Sequence, residues 1–405
     1  MNIKVLVLTI AAFTVGLVEL IIGGVLPQIA ADLGVSVSTV GQLITAYALV
    51  YAVSGPTLLA LTAKIERRKL YLLSLVVFIL GALLAFWSPN FGVLLISRFV
   101  TAASGSLITT LSLTIAVKVV PENFRARVIG IVSMGISSAI VLGVPLGVLA
   151  ADKLGWRILF LFIAVFALLA MFVIYKLMEP IQPQQVMPLR QQLASLKNTK
   201  VAGAHLVTLL LLAGHYTLYA YFTPFLENVM HLSASWISIV YFFFGLAAVA
   251  GGMIGGVMSD SLGAKKSILI VVGVFALSLF ILPFTASLIP LFAILVFVWG
   301  ALSWALSPAQ QSYLIEASPE TSEIQQSFNF SALQVGIAAG SAIGGVVISR
   351  APSVTYNAWV GGIIVVIAFG VALYTFYHKT STRRSGENGQ KSGSKSKLEP
   401  NFGGD

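Results

Sequence analysis

Glu19 stands inside an apolar run, Phe13 to Ser36 (FTVGLVELIIGGVLPQIAADLGVS), whose helix is expected to close on Pro27. A charged side chain that deep in a lipid-spanning helix costs several kcal/mol unless it is paired, neutralised or wet, so it marks a functional site by default. The chemistry open to a solitary carboxyl there is reversible proton binding. Burial and a neighbouring cation act on a carboxyl in opposite directions, and surroundings that alternate between the two load a proton and release it. Arg98 and His215 are ionisable groups inside other apolar runs. Counted at 1.5 Å per residue from the predicted helix ends, Glu19 lies about 12 Å inward, Arg98 about 9 Å and His215 about 16 Å.

Positioning these groups takes a membrane. Of 405 residues, 58% are hydrophobic and only 9% charged, a balance outside the soluble range and inside that of polytopic membrane proteins. A spanning helix needs about 20 apolar residues. Twelve runs meet that need: 5–27, 41–62, 70–88, 92–116, 127–150, 157–178, 204–226, 236–258, 267–287, 289–310, 325–348 and 355–377. The net charge of +10 could suggest nucleic acid, but the basic residues lie in loops beside these runs, where they read as topology signals. With the amino terminus in the cytoplasm, 20 of the 24 Lys and Arg residues fall on the cytoplasmic side, with Lys153, Arg157 and Arg350 outside and Arg98 within a helix. Both termini are therefore expected inside. Met1 to Lys4 leads into the first run without a small-residue cleavage site, so that helix is expected to be retained. Cysteine is absent, which removes disulfides and thiolate metal sites.

The polar linker 179–203, carrying Pro180, Pro183 and Pro188 and a basic Arg190–Lys200 section with the character of a surface helix, divides the twelve helices into halves at 1–178 and 204–378. The Ser-, Gly- and Lys-rich tail 379–405 is expected to be disordered. The halves repeat. At a shift of 197 residues Pro27 falls on Pro224, Ser36 on Ser233, Ser38 on Ser235, and the loop Ala63–Lys69 on Asp260–Lys266; one residue further on, Gly147 falls on Gly345. Parallel repeats of six helices are the architecture in which substrate sites lie between the halves near the bilayer midplane.

The loop after helix 8, GGVMSDSLGAKK, with Asp260, Gly263 and Lys266, resembles the signature loop of the major facilitator superfamily. The matching first-half loop, ALTAKIERRK, departs from it, with Ala63 at the acidic position and Glu66 at the glycine, while Arg67, Arg68 and Lys69 keep the cations. ISRFVTAASG around Arg98 is similar to the arginine motif of helix 4. LGVPLGVLAADKLGWR, with Gly143, Pro145 and Gly147, resembles the Gly-Pro motif of the superfamily's antiporters. Four further segments, GLVELIIGGVLPQIA, AGHYTLYAYFTPFLE, SWALSPAQQSYLIE and IQQSFNFSALQVGIAAGSAIGG, together resemble bacterial purine efflux pumps of the drug:proton antiporter group over roughly residues 1 to 378. Sugar, arabinose and amphenicol exporters of that group share the glutamate-bearing first helix.

The resemblance implies an all-α fold of two pseudo-symmetric six-helix bundles in a bacterial cell membrane. It implies a monomer, with helices 1, 4 and 7 lining a central cavity. It implies proton-coupled export of purine bases or nucleosides, with drugs or sugars as the alternative, Glu19 and Arg98 coupling the proton, the proton gradient as the energy source and no cofactor. A purine needs a flat apolar slot and amide-like partners for its ring edge. His215, Tyr216, Tyr219, Trp299, Trp304, Asn329 and Gln334 supply those types, and Asn329 is preferred over Gln310 and Gln311, which are expected near a helix end. His215 and the aromatic residues also suit plain packing, and Glu19 with Arg98 also suits a permanent structural pair. Asp260, Gly263, Arg67 and Arg68 are expected to gate, and Gly143, Pro145 and Gly147 to let helix 5 bend. Gly336, Gly340 and Gly344 recur every four residues as a close-packing face. An intramembrane enzyme would need a catalytic set, but H-E-x-x-H, G-x-S-x-G and Walker sequences are absent from the chain; a channel is the remaining non-carrier reading.

Overall fold

A computed structural model of the chain describes residues 3–121, 124–183 and 198–378. Most of the basic linker section and the tail expected to be disordered lie outside the described residues. The helices are α1 Ile3–Leu33, α2 Val37–Leu61, α3 Arg67–Phe86, α4 Phe91–Ala116, α5, α6 Arg157–Leu177, α7, α8 Ala234–Leu262, α9 Ala264–Thr285, α10 Ile289–Ala317, α11 Ser322–Arg350 and α12 Thr355–Tyr377. Two are interrupted: α5 runs Arg125–Ser138, through a π-helical turn Ala139–Gly143, to Val144–Leu154, and α7 is Thr199–Tyr219 followed by Phe222–Asn228. All twelve are long and apolar enough to cross a membrane. Several run past the apolar stretches that announce them, because polar side chains cap the ends: Ser36 Oγ accepts from Thr39 N at 3.0 Å and Asn90 Oδ1 from Val93 N at 3.0 Å.

The interruptions have named causes. Pro27 has no N–H for the Gly23 carbonyl, and α1 kinks at Val25 (φ −118°, ψ 17°). Pro224, one repeat later, breaks α7 in the same way. Pro145 leaves the Val141 carbonyl without its helical donor, and the π turn precedes it directly. Here α5 meets α8 most closely: a Cβ built on Gly245 would lie 2.7 Å from Val141 Cα. Gly336, Gly340 and Gly344 press α11 onto the main chain of α7, against the carbonyls of Leu209, Ala213 and Thr217. That stripe therefore works within the second half.

Twelve successive spans return the chain to the face on which it begins. We call this the terminal face and its opposite the remote face. The halves meet along α2 with α11, α5 with α8, and α1 with the outer piece of α7. Hydrogen bonds between them gather toward the remote face. Ser38 Oγ donates to Gly345 O at 2.7 Å, Ser341 Oγ to Gly41 O at 2.9 Å and Ser238 Oγ to Pro145 O at 2.8 Å. Thr223 Oγ1 donates to Gly23 O at 2.8 Å and reaches Gly24 O at 3.2 Å, so the carbonyl freed by one proline is taken up by the residue before its repeat counterpart.

Glu66, at the position where the signature loop has glycine, caps α3. Its carboxylate accepts from Arg68 N at 2.8 Å and Lys69 N at 3.1 Å, and from Ile181 N at 2.8 Å in the strand of chain leaving α6. Partial burial pushes the carboxyl up, but these three donors outweigh it and hold Glu66 below the usual carboxylate range. A depressed folded pKa contributes stability above the unfolded value, and the contribution is lost as pH falls through the folded one. Glu66→Ala is expected to cost about 1 kcal/mol at neutral pH. The gap between mutant and wild-type unfolding midpoints in detergent should close as pH drops below about 4.

Candidate functional site at the junction of the halves

Glu19 lies near the middle of the 31-residue α1, and its nearest partner is in the other half: Gln334 Nε2 on α11 donates to Glu19 Oε1 at 2.9 Å. Arg98 is buried on α4 and turned toward the same stretch of α1. Its Nη1 donates to the carbonyl of Val18 at 2.8 Å, and its guanidinium lies over the Tyr47 ring, 4.2 Å from the centroid. Arg98 and Glu19 form no ion pair in this structure, although each lies within electrostatic reach of the other. A structural pair would have closed them on each other; here the carboxylate is held by an amide and the guanidinium by a carbonyl and a ring.

Aromatic walls flank this group. Tyr47 and Tyr51, one turn apart on α2, have ring centroids 5.8 Å apart, and Tyr51 lies 5.8 Å from Phe330 of α11 across the junction. Phe330 precedes Gln334 by one turn and is 44% exposed, which leaves one face of the wall open. Sequence reasoning missed Tyr47, Tyr51 and Phe330. The i, i+4 aromatic pair Tyr47 and Tyr51 in the second apolar run was the available signal.

His215 sits elsewhere, in a packed aromatic group of the second half. Its ring centroid lies 5.0 Å from Tyr219, 5.1 Å from Tyr216, 5.3 Å from Trp299 and 5.6 Å from Phe275. Trp299 is fully buried and Tyr219 nearly so, so the group leaves no slot between its rings in this conformation. Tyr216 is the member within electrostatic reach of Glu19. Trp304, half-buried on α10, packs outside this group.

Asn329 joins a third cluster. Its Nδ2 donates to Thr208 Oγ1 at 2.9 Å and approaches His205 Nδ1 at 3.4 Å, while His205 Nε2 pairs with Gln325 Oε1 at 3.0 Å. Gln310 is buried here too, donating to Ala204 O at 2.7 Å and Thr208 Oγ1 at 2.9 Å. The expectation that it lies at a helix end fails because α10 continues to Ala317.

A profile of the Major Facilitator Superfamily matches residues 8–325 and, in a second alignment, 206–402. The chain belongs to the Major Facilitator Superfamily. It is 36% identical to an uncharacterised transporter of this type, YbcL of Bacillus subtilis, over 92% of this chain and 95% of that one. It is 30% identical to a probable sugar efflux transporter of Helicobacter pylori strain P12, over 90% and 93%. Among solved structures it resembles a bacterial homologue of the human lysosomal transporter Spinster, inward-facing and unoccupied, with a TM-score of 0.72 at 18% identity over 92% and 96% of the two chains. The Escherichia coli xylose transporter XylE, partially occluded and inward open, matches at 0.68 and 15% identity over 92% and 97%.

Gly263 adopts φ +81° between α8 and α9, a conformation that L side chains resist, which accounts for glycine at that place. Asp260 is exposed in the last turn of α8. Arg68 Nη2 donates to Tyr175 O at 2.6 Å, and Arg67 is buried, with its backbone N–H bonded to Ile181 O. Gly143 and Gly147 let α5 lie against Leu17 and Ile21 of α1, and the Pro145 carbonyl receives Ser238 from the other half.

Proposed function

We propose that this transporter is a proton-coupled antiporter that exports purine bases or nucleosides by alternating access. The observation that carries the reading is the placement of Glu19: an intramembrane carboxyl at the junction of the halves, bonded to one half's amide and flanked by the other half's arginine. Around it, Tyr47 Oη, Arg98 Nε and Nη2, and Gln334 Oε1 are buried without hydrogen-bond partners, and buried polar groups of that kind suit a solute that brings donors and an acceptor. Tyr47, Tyr51 and Phe330 supply flat apolar faces for a heterocycle beside those polar atoms. On this reading the basic-residue bias favours a cytoplasmic terminal face, the remote-face bonds fit an inward-facing form, and the carrier works as a monomer. One charge moving down 100 mV releases about 2.3 kcal/mol, enough for roughly a fifty-fold gradient of a neutral solute at about 1.4 kcal/mol per decade.

Sugar export is the second reading, supported by the Helicobacter relative and by hydroxyl-compatible partners in the same group. Everted vesicles loaded with a proton gradient and offered adenine, hypoxanthine, guanosine, arabinose or chloramphenicol separate the two. Saturable, gradient-dependent uptake of the first three supports the purine reading. Uptake of arabinose or chloramphenicol alone overturns it, and flux that persists at channel rates after the gradient is collapsed overturns a carrier of any kind.

A further inference from the structure

We propose that the Gln334–Glu19 hydrogen bond is a lock that stops the empty, unprotonated carrier from changing state, making Gln334 a positioning residue for coupling; the inference rests on Glu19 as the proton site. The bond joins α1 of one half to α11 of the other at mid-helix, so it exists only while the halves are closed toward the remote face. Gln334 is 1% exposed and its Oε1 has no partner, so Glu19 is the amide's one bonded contact. From the helices packed on α1, the charged and titratable groups facing Glu19 are Arg98 of α4, Tyr47 and Tyr51 of α2 and Tyr216 of α7. Near Glu19, helices α5 and α6 present apolar side chains to α1, among them Val144, Val148 and Phe166, and the ion pair of Arg157 with Asp32 lies at the remote end of α1.

Arg98 is engaged elsewhere, with Val18 and Tyr47, so the amide is the carboxylate's direct donor in this state. A charge-assisted bond of this kind is stronger than its neutral counterpart, and leaving an anion short of donors away from water is costly. Separating the halves is therefore hard while Glu19 is charged and unoccupied. Two events remove the obstacle. A proton on Glu19 makes the acid neutral, and a solute N–H or O–H donating to Oε1 in the amide's place keeps the anion bonded while the halves part. The carrier then changes state with a proton or with solute aboard, but not with neither, which is the condition for exchange without a leak.

The test needs no knowledge of the solute. Purified protein in liposomes, with an acid-outside gradient, a potassium shunt and a trapped pH dye, reports proton entry in the absence of any substrate. Gln334→Met, which keeps the volume and removes the amide, is expected to raise that entry about tenfold, the size expected for losing one charge-assisted bond. Gln334→Asn, whose amide is withdrawn by one methylene, should leak similarly, and Glu19→Gln combined with Gln334→Met should return to the wild-type rate. Spin labels at Ala31 and Ser349, in a chain free of cysteine, should show more of the remote-face-open distance in Gln334→Met than in wild type. Wild-type leak and unchanged distances in both Gln334 variants overturn the lock. A leak that persists in the double variant shows protons moving without Glu19 and overturns the reading beneath it as well.

Discussion

Glu19→Gln is expected to exchange solute across the membrane but to accumulate none in response to a pH gradient. The glutamine keeps the shape of the residue and an oxygen that can accept from Gln334 Nε2, so the junction described above has no steric reason to change. What it loses is the proton. A carrier coupled to one proton concentrates a neutral solute about tenfold for each pH unit, the equivalent of about 1.36 kcal/mol, and two units across everted vesicles give about a hundredfold. The mutant should show a ratio of one while counterflow of labelled against unlabelled solute continues. Retained pH-driven accumulation by Glu19→Gln would remove Glu19 from the mechanism, and loss of counterflow as well would make it a substrate contact.

Thr223→Val should loosen the remote face. The hydroxyl serves the Gly23 carbonyl that Pro27 leaves without a donor, and it also lies 3.0 Å from Tyr241 Oη. Valine is nearly isosteric, so the packing survives and the carbonyl is left bare in a dry place. An orphaned buried acceptor costs about 1–3 kcal/mol, or roughly a five- to 150-fold shift in the balance between closed and open forms. Distances between labels on Ala31 and Ser349 measure that balance. Thr57→Val is the control: its hydroxyl bonds only within α2, to Val53 O at 2.6 Å and Ser54 O at 3.4 Å, and its loss should leave the distances where they are.

Much of this architecture could be read in the residues. Apolar runs of spanning length, the basic-residue bias and the 197-residue repeat together specify twelve helices in two related halves, because the bilayer constrains composition along whole helices. Glu19 stands out for the same reason, since one carboxylate in such a run has few harmless explanations, and the structure sets it at mid-helix against Gln334 of the other half. What composition does not carry is rotation about the helix axis and contact between distant helices. Counting inward from predicted ends placed His215 level with Glu19 and Arg98. Yet α1 extends to Leu33, the ring of His215 is enclosed by Tyr219, Trp299 and Phe275, and Arg98 reaches Val18. Gln334 and Asn329 look alike in sequence, two amides in α11, but one faces Glu19 and the other Thr208. Glu66 looked like the loss of a signature glycine, and its capping bonds show it doing a different job.

The bonds that close the remote face share a property with a bearing on where such a protein can work. Ser38, Ser238, Ser341 and Thr223 all reach main-chain carbonyls of the opposite half. Neutral hydroxyls on peptide oxygens neither titrate in the ordinary range nor weaken with added salt, unlike a gate built from carboxylates and lysines. These hydroxyl bonds would thus hold alike in acid, brine or fresh water, which leaves the proposed response to pH to Glu19 deeper in the junction. The surroundings can vary widely, and these four hydroxyls carry no charge that would answer to the change.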